Sequence, residues 1–326
     1  MLVNSLCALA LGFVLDLVVG DPEGKVYPLR LIERLAKTLE HSLRKAYSDT
    51  PEAQNMAGIM LVVMTLLICL GGSLALLMIG YLISPVVGII VEGVLCCISI
   101  SVKQVRLNLQ SAFRAAKTGN VLTLRRAASK LSNRDTDDLD LEGAMKCSIE
   151  AASENLTDWV VGPVFWIMIL GGLGGILCRC INVLDNTVGY KDKEHIDIGS
   201  TSAKLDDIML FLPARIAAGL MKINVAFLAL DSEGAKDIYR RDRAKSLSPN
   251  SGCTMTVCAG ALGVQLGSDE YYSGKLVKKP ALGDDMKKVS ADDIFWTSQL
   301  YQGTAAYSII LAFILRGGLA ILLAIL

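Results

Sequence analysis

Apolar and charged residues are strongly segregated along the chain. From Ala57 to Ile100, Glu92 is the one charged residue in 44 positions. At about 1.5 Å rise per residue such a run is roughly twice the ~30 Å hydrocarbon thickness of a bilayer, so it predicts a helical hairpin (apolar segments about 57–78 and 80–100) turning between Gly71 and Pro85. Further apolar segments span about 1–20, 159–184, 205–230 and 305–326, and polar loops lie at 21–55, 101–158, 185–204 and 231–304. The later apolar segments are interrupted: Gly171-Gly172 and Gly174-Gly175 in one, Pro213 and Arg215 in the next, Arg316-Gly317-Gly318 in the last. Short segments broken by Gly or Pro are typical of cavity-lining, re-entrant elements. The expected fold class is therefore all-α: a polytopic integral membrane protein with broken or re-entrant helices and helical cytoplasmic loops, forming a single membrane domain over 1–326.

The loops carry patterns of their own. Leu141, Met145, Ser148, Ala152, Leu156 and Trp159 recur at three- and four-residue intervals, and Glu142, Lys146, Glu150, Glu154 and Asp158 step by four around the other side, which predicts an amphipathic helix. By periodicity alone the acidic stripe reads as a solvated face, but the helix runs into the apolar segment at Trp159, placing Glu154, Asn155 and Asp158 near the membrane interface. The stretch DNTVGYKDKEHIDIGSTSAKLDD (185–207) concentrates five Asp, one Glu, three Lys and one of the two His between apolar segments.

Composition supports a membrane protein with substantial aqueous parts: 52% of the 326 residues are hydrophobic and 20% charged, with mean hydropathy +0.47. The 32 basic and 32 acidic residues cancel, so no bulk field points to nucleic acid. Of the 32 Lys and Arg, 28 lie in the four polar loops, and the positive-inside rule places those loops in the cytoplasm. That is possible for 183–204 if 159–184 is a broken, returning element. No Lys or Arg precedes Lys25 and no small-residue cleavage site follows the first apolar run, so residues 1–20 read as an anchor rather than a cleaved signal. The nine Cys form no CxxC pair and the two His no metal spacing, so neither zinc nor a disulfide framework is expected.

A Walker A loop, a G-x-G-x-x-G turn, a G-x-S-x-G elbow and an H-E-x-x-H helix are all absent. What remains is carboxylates near basic residues: Asp185, Asp192, Asp206 and Asp207 with Lys191, Lys204 and Arg215. Converging carboxylates suit Mg²⁺ beside a polyphosphate, or are simply loop ion pairs and caps. Arg215 is the sharper signal, because a guanidinium inside an apolar segment costs about 2.5–3.5 kcal/mol unless it is paired or faces water. A carboxylate such as Asp206 or Asp207, or a phosphate, would satisfy it. The turn SPNSG (248–252) has backbone N–H groups suited to a phosphate, or is an ordinary connection.

Taken together, SNRDT (132–136), EAASENLTD (150–158) with Gly162-Pro163, NVLDNTVGYK (182–191), AKLDD (203–207) with PAR (213–215), SPNSG (248–252) and AGALG (259–263) resemble the CobD/CbiB family of adenosylcobinamide-phosphate synthases. GDP (20–22), Tyr27-Pro28 and LIER (31–34) resemble its opening, with Tyr27 and Glu33 in place of the expected His and Gly. The resemblance implies ATP-dependent amide ligation of the corrinoid cobyric acid with (R)-1-amino-2-propanol phosphate in the cell membrane, the active site facing the cytoplasm. It further implies ATP and Mg²⁺ but no protein-bound zinc or haem, and leaves room for homo-oligomers and contact with other corrinoid-pathway enzymes. On these stretches the expected site comprises Glu150, Glu154, Asp185 and Lys191 as catalytic groups; Asn155, Asn182, Tyr190, Arg215, Ser248, Asn250 and Gly252 as substrate contacts; and Asp158, Asp206 and Asp207 as metal ligands. Two rivals are weaker. A phosphatidyl-type transferase lacks its D-G-x-x-A-R pattern here, and a transporter lacks visible inverted repeats.

Overall fold

In the computed structural model of the chain, residues 2–21, 27–190, 195–267, 269–272 and 274–325 are described. Thirteen α-helices among them are α1 (Leu2–Val18), α2 (Pro28–Ala46), α3 (Pro51–Ile83), α4 (Pro85–Ser99), α5 (Val102–Lys117), α6 (Val121–Ser129), α7 (Leu141–Leu156), α8 (Gly162–Leu170), α9 (Gly172–Val188), α10 (Ser200–Phe227), α11 (Ser232–Asp242), α12 (Ser251–Leu262) and α13 (Ala291–Ile325). One π turn, Thr157–Val161, joins α7 to α8, and two short strands, β1 (Glu270–Tyr272) and β2 (Lys275–Val277), pair antiparallel. The described residues are all-α apart from that hairpin, which falls in the polar loop expected at 231–304.

Four stretches, Pro51–Ile83, Pro85–Lys117, Ser200–Phe227 and Ala291–Leu323, are long and apolar enough to cross a membrane. Their outward surfaces are apolar too: Leu67, Leu82, Ile83, Ile208, Phe227, Ile314 and Ile321 are all exposed, as expected of side chains that meet lipid rather than water. The apolar runs are recovered with shifted ends. Helix α3 passes straight through Gly71-Gly72, and the break comes at Ser84-Pro85. There proline removes an N–H and drives the preceding residue out of the helical region; Ser84 sits at φ −168°, ψ 158° and its hydroxyl caps α4 by accepting from Val87 N at 3.2 Å. Helix α13 begins fourteen residues before the expected 305, at Ala291. Its first turn is polar in sequence but internally satisfied, since Asp293 accepts from Ser290 N and Oγ, both at 2.8 Å, and from Lys287 Nζ at 2.6 Å.

Two compact units emerge, Met1–Ser101 with Gly162–Met209 and Ile310–Leu326, and Val102–Val161 with Leu210–Ile309. In the first, α2 lays Leu29, Ile32 and Ala36 against α3, α4 and α9, where Leu61, Leu77, Leu95, Ile176 and Leu184 complete the core. Helices α1 and α4 cross closely. A Cβ on Gly12 would lie 2.5 Å from the Cys96 Cβ, and one on Gly93 2.8 Å from the Leu11 side chain, the small-residue contact favoured between helices in lipid.

The expected break in 159–184 is real. Gly171 (φ 68°, ψ −159°) separates the nine-residue α8 from the seventeen-residue α9, and the two pack side by side, a Cβ on Gly174 falling 2.1 Å from the Trp166 carbonyl. Nine residues rise about 13.5 Å, under half the hydrocarbon thickness. Charges cap both broken ends with the polarity the helix dipole favours. Arg316 Nη1 donates to the Ile167 and Met168 carbonyls at the end of α8, at 2.6 and 2.7 Å. Glu92 accepts from Gly172 N at the start of α9 (3.2 Å), from Ser5 Oγ (2.5 Å) and from Tyr81 (2.6 Å).

The second unit packs α5, α6 and α7 together, sets α12 against α7, and lays α11 along α12. Asp140 starts α7 by accepting from Gly143 N at 2.7 Å, and Gly263 ends α12 in the left-handed region at φ 64°. The predicted acidic stripe of α7 is not a solvated face: Glu150 is buried.

Candidate active site

A buried ion cluster forms in the second unit. Arg134, from the SNRDT loop before α7, places Nη1 2.5 Å from Glu150 Oε2 and against Glu270 Oε1, and Nη2 3.9 Å from Glu154 Oε2. Side-chain exposure falls from 35% for Glu154 to 7% for Glu270, 4% for Arg134 and 1% for Glu150, so Glu154 is the way in from solvent. The β1–β2 hairpin closes the other side. Gly267 N donates to Glu150 Oε1 at 2.7 Å, Gly274 N to Asp135 at 2.6 Å, and Asp135 N to the Tyr271 carbonyl at 2.8 Å. Lys279 Nζ lies 2.6 Å from Glu270 Oε2 and 3.1 Å from the Tyr272 hydroxyl, which itself donates to Glu270 Oε2 at 3.1 Å.

The two buried carboxylates differ in environment. Burial alone would raise the Glu150 carboxyl, but the Arg134 charge and the hydrogen bonds it receives hold it below its ordinary value. Burial dominates at Glu270; Arg134 offsets it only in part, the Glu150 charge adds to it, and the carboxyl is pushed up to about 7. Lys279 stays above its ordinary value despite burial and Arg134, because Glu154, Glu270 and Tyr272 surround it. Arg134 Nη2 is buried and has no hydrogen-bond partner. Such a pair of carboxylates beside a fixed cation is equipped to move a proton.

At the start of α12 the same unit has a site of opposite character. Arg215 Nη1 donates to Asn250 Oδ1 (2.8 Å) and the Phe211 carbonyl (2.7 Å), Nη2 to the Pro249 carbonyl (3.2 Å), and the guanidinium lies 3.6 Å from the Phe211 ring centroid. The described partners of Arg215 are thus carbonyl and amide oxygens of the SPNSG turn and an aromatic face; of the two acceptors open from sequence, a carboxylate such as Asp206 or Asp207 is not among them, and a phosphate is untested. A Cβ on Gly252 would fall 2.3 Å from the Arg243 carbonyl, so only glycine lets the turn approach that segment. Ser248 Oγ accepts from Asn250 N at 3.2 Å. A cavity of about 410 Å³ opens here, lined by Arg215, Arg243, Ser246, Pro249 and Cys253 among others, with no acidic residue in its lining. Lys222 Nζ and Arg243 stand 3.9 and 5.0 Å from the Tyr239 ring nearby. Cations without carboxylates suit an anion such as phosphate.

In the first unit, Asp21 accepts from Tyr27 at 2.7 Å and from Ser101 at 2.7 Å. Tyr27 thus holds an acidic side chain through its hydroxyl. Arg179, buried on α9, donates to Asn182 Oδ1 at 3.3 Å. Tyr190 donates to the Asn186 carbonyl at 2.9 Å and packs edge-on to His195. Asp185 is half-buried near the end of α9, where Gly189 leaves room for its carboxylate: a Cβ there would sit 1.9 Å from Asp185 Oδ1.

Of the expected site residues, Glu150 and Glu154 are brought together around Arg134, and Arg215, Asn250, Ser248 and Gly252 around the α12 turn. Asn155 is buried and spans to the Leu131 carbonyl at 2.8 Å, fixing α7 against the SNRDT loop. Asp185, Asn182 and Tyr190 belong to the other unit. Lys191 lies outside the described residues. Among the described residues, no three His, Cys, Asp or Glu are grouped to hold a metal ion; Asp158 occupies the π turn, and Asp206 and Asp207 are half-buried on α10. None of the nine cysteines forms a disulfide.

The order of these motifs along one chain can be set against known proteins. The model of the CobD/CbiB protein family matches residues 9–301. The chain belongs to the CobD/CbiB family. Among curated relatives, the cobalamin biosynthesis protein CobD of Clostridium perfringens is 34% identical over 306 residues, covering 94% of this chain and 96% of the relative. CobD of Streptococcus sanguinis is 33% identical over 291 residues (89% and 90%), and the cobalamin biosynthesis protein CbiB of Salmonella arizonae 30% over 307 (94% and 96%). No solved structure matches. Within a CobD/CbiB chain, the groups that sequence reasoning missed are Glu270, Tyr272, Lys279, Arg243 and Lys222. EYY and KLV flank a two-residue Ser-Gly link, a hairpin signal that would have placed Glu270 on a strand, but nothing local pairs it with Arg134.

Proposed function

We propose that this CobD/CbiB protein is the membrane ligase that joins cobyric acid to (R)-1-amino-2-propanol phosphate as an amide, consuming ATP and giving the cobinamide phosphate. The observation that carries the reading is the buried cluster in which the motif residues Arg134 and Glu150 meet Glu270, in a chain that a cobalamin-biosynthesis family model matches over residues 9–301. A carboxylate does not condense with an amine in water. Transfer of the ATP γ-phosphoryl group to the corrinoid propionate gives an acyl phosphate; the amine nitrogen then attacks its carbonyl carbon, the C–N bond forms, and the C–O bond to phosphate breaks. The amine arrives as an ammonium and must lose a proton first, a task for the carboxylate cluster entered at Glu154.

The acid-free cavity at Arg215, Arg243 and the SPNSG turn suits a phosphate of either phosphorylated substrate. ATP would bring its Mg²⁺, which keeps several waters and needs only one or two carboxylates beside the phosphates; Asp158, Asp206 and Asp207 are the candidate ligands. A cytoplasm-facing site follows from the need for ATP and from the basic loops.

The reading is tested by supplying the detergent-purified protein with cobyric acid, aminopropanol phosphate and Mg-ATP. Mass spectrometry should show a product at the mass of the amide, dependent on all three substrates. Recovery of unchanged substrates by a folded protein would contradict it.

A further inference from the structure

Helix α10 is long and apolar enough to cross a bilayer, yet it carries Lys222 about 7.5 Å before its end at Phe227. Phe211, Leu212, Arg215, Gly219, Lys222 and Ile223 recur at three- and four-residue spacing, which gathers them on one face. All belong to the second unit. Phe211, Leu212 and Ile223 are 54%, 53% and 60% exposed, and an added Cβ at Gly219 would meet no atom within 4 Å. The face is therefore outward, apolar and notched one turn before Lys222. Where it ends, two cations share one aromatic ring. Lys222 Nζ lies 3.9 Å from the Tyr239 ring centroid, and the Arg243 guanidinium lies 5.0 Å from the same centroid and donates to the Tyr239 hydroxyl at 3.3 Å.

The ring attracts each cation, but the two cations repel each other. Among the described residues neither is ion-paired to a carboxylate, because the nearby acids on α11 are engaged elsewhere: Asp237 with Arg240, and Asp242 with Arg241 and Lys245. Arg215, two turns back on the same face, is already held by Asn250 and the Pro249 carbonyl. A pair of cations lacking a counter-ion, at the end of an outward apolar helix face, complements a molecule with an anionic head and a hydrocarbon tail. We propose that Lys222 and Arg243, set around Tyr239, bind the phosphate of an anionic membrane phospholipid whose acyl chain lies along the Gly219, Leu212 and Phe211 face of α10. Aminopropanol phosphate and ATP have no hydrocarbon chain to cover that face. Lys222 is not in the lining of the Arg215 cavity, whereas Arg243 borders both, so the lipid sits beside the cavity of the ligase reading and does not depend on that reading.

The test follows thermal unfolding of the full-length protein in detergent micelles doped with phosphatidylglycerol or with the same fraction of phosphatidylcholine, and reads bound lipid by native mass spectrometry. Wild type should gain several degrees more from phosphatidylglycerol and retain it in the mass spectrum, the gain shrinking as salt rises. Lys222→Gln should weaken retention of phosphatidylglycerol about fivefold, and Lys222→Arg should keep it. Arg243→Gln, at an exposed position, should weaken it to a similar degree and decides the matter if Lys222→Gln does not fold. Equal gains from the two lipids in wild type overturn the proposal, as does the full phosphatidylglycerol advantage in a folded Lys222→Gln protein. Inorganic phosphate is the arm for a soluble ligand: a Lys222-dependent gain with phosphate and none with phosphatidylglycerol assigns the cation pair to a free phosphate and overturns the lipid. None of these readouts needs amide formation, so failure of the lipid site and failure of the ligase reading are told apart.

Discussion

Replacing Arg134 by Ala removes, among the described residues, the cation in contact with both Glu150 and Glu270. All three side chains are buried, at 4%, 1% and 7% exposure, so the usual small worth of a surface ion pair, about 0–1 kcal/mol, does not apply. Deleting one partner of a buried pair leaves uncompensated charge and costs about 3–5 kcal/mol. With roughly 2–4 °C of melting temperature per kcal/mol for a unit of this size, thermal unfolding in detergent should come about 6–20 °C earlier. The pH dependence carries the mechanism. In wild type the depressed Glu150 carboxyl contributes stability that is present above its unfolded value and lost as pH falls through its folded one. Without Arg134, burial alone governs, the folded pKa rises above the unfolded value, and the sign reverses: the variant gains stability relative to wild type as pH falls from 8 to 5. The double variant Arg134→Ala/Glu270→Gln should be less destabilised than the sum of the single changes, since one stranded carboxylate is gone. A shift under about 2 °C, or a deficit that grows on acidification, would show that the cluster is not the desolvated ion network described.

Arg215→Lys keeps the charge and loses the fork that meets Asn250, Pro249 and Phe211; KM for aminopropanol phosphate or ATP should rise about tenfold, with the change in melting temperature small, and unchanged KM for both would exclude a phosphate contact. Gly171→Ala forces a side chain onto φ 68° and sets a Cβ 2.6 Å from Glu92 Oε1; backbone strain of about 1–3 kcal/mol should lower thermal stability measurably, and a variant as stable as wild type would mean that the α8–α9 break does not need glycine.

Much of the membrane fold was legible because its signals are local. Pro85 and Gly171 mark breaks through their own backbone limits, and the apolar runs need only their length. The shifted start of α13 was hidden because Asp292 and Asp293 look like loop residues, and only the Ser290 and Lys287 contacts show the turn to be satisfied. Periodicity put Glu150 on an acidic stripe, but could not say that a hairpin more than a hundred residues later covers it. Glu270 and Lys279 were invisible for the same reason: Glu270 meets Arg134 from far back in the chain and Lys279 from beyond the β2 strand, and no spacing rule pairs them. For Arg215, the cost of a cation in an apolar segment correctly demanded an acceptor, and carbonyl and amide oxygens with an aromatic ring supply part of what a carboxylate or a phosphate was expected to supply.

The central claim is that the protein activates a carboxylate with ATP and passes it to an amine. Cobyric acid carrying ¹⁸O in its free carboxylate tests this directly, incubated with purified protein, Mg-ATP and aminopropanol phosphate. The account predicts one ¹⁸O in the released inorganic phosphate for each amide formed, because the carboxylate oxygen that attacks phosphorus departs with it. Phosphate free of ¹⁸O, with amide accumulating or with none, would contradict the account.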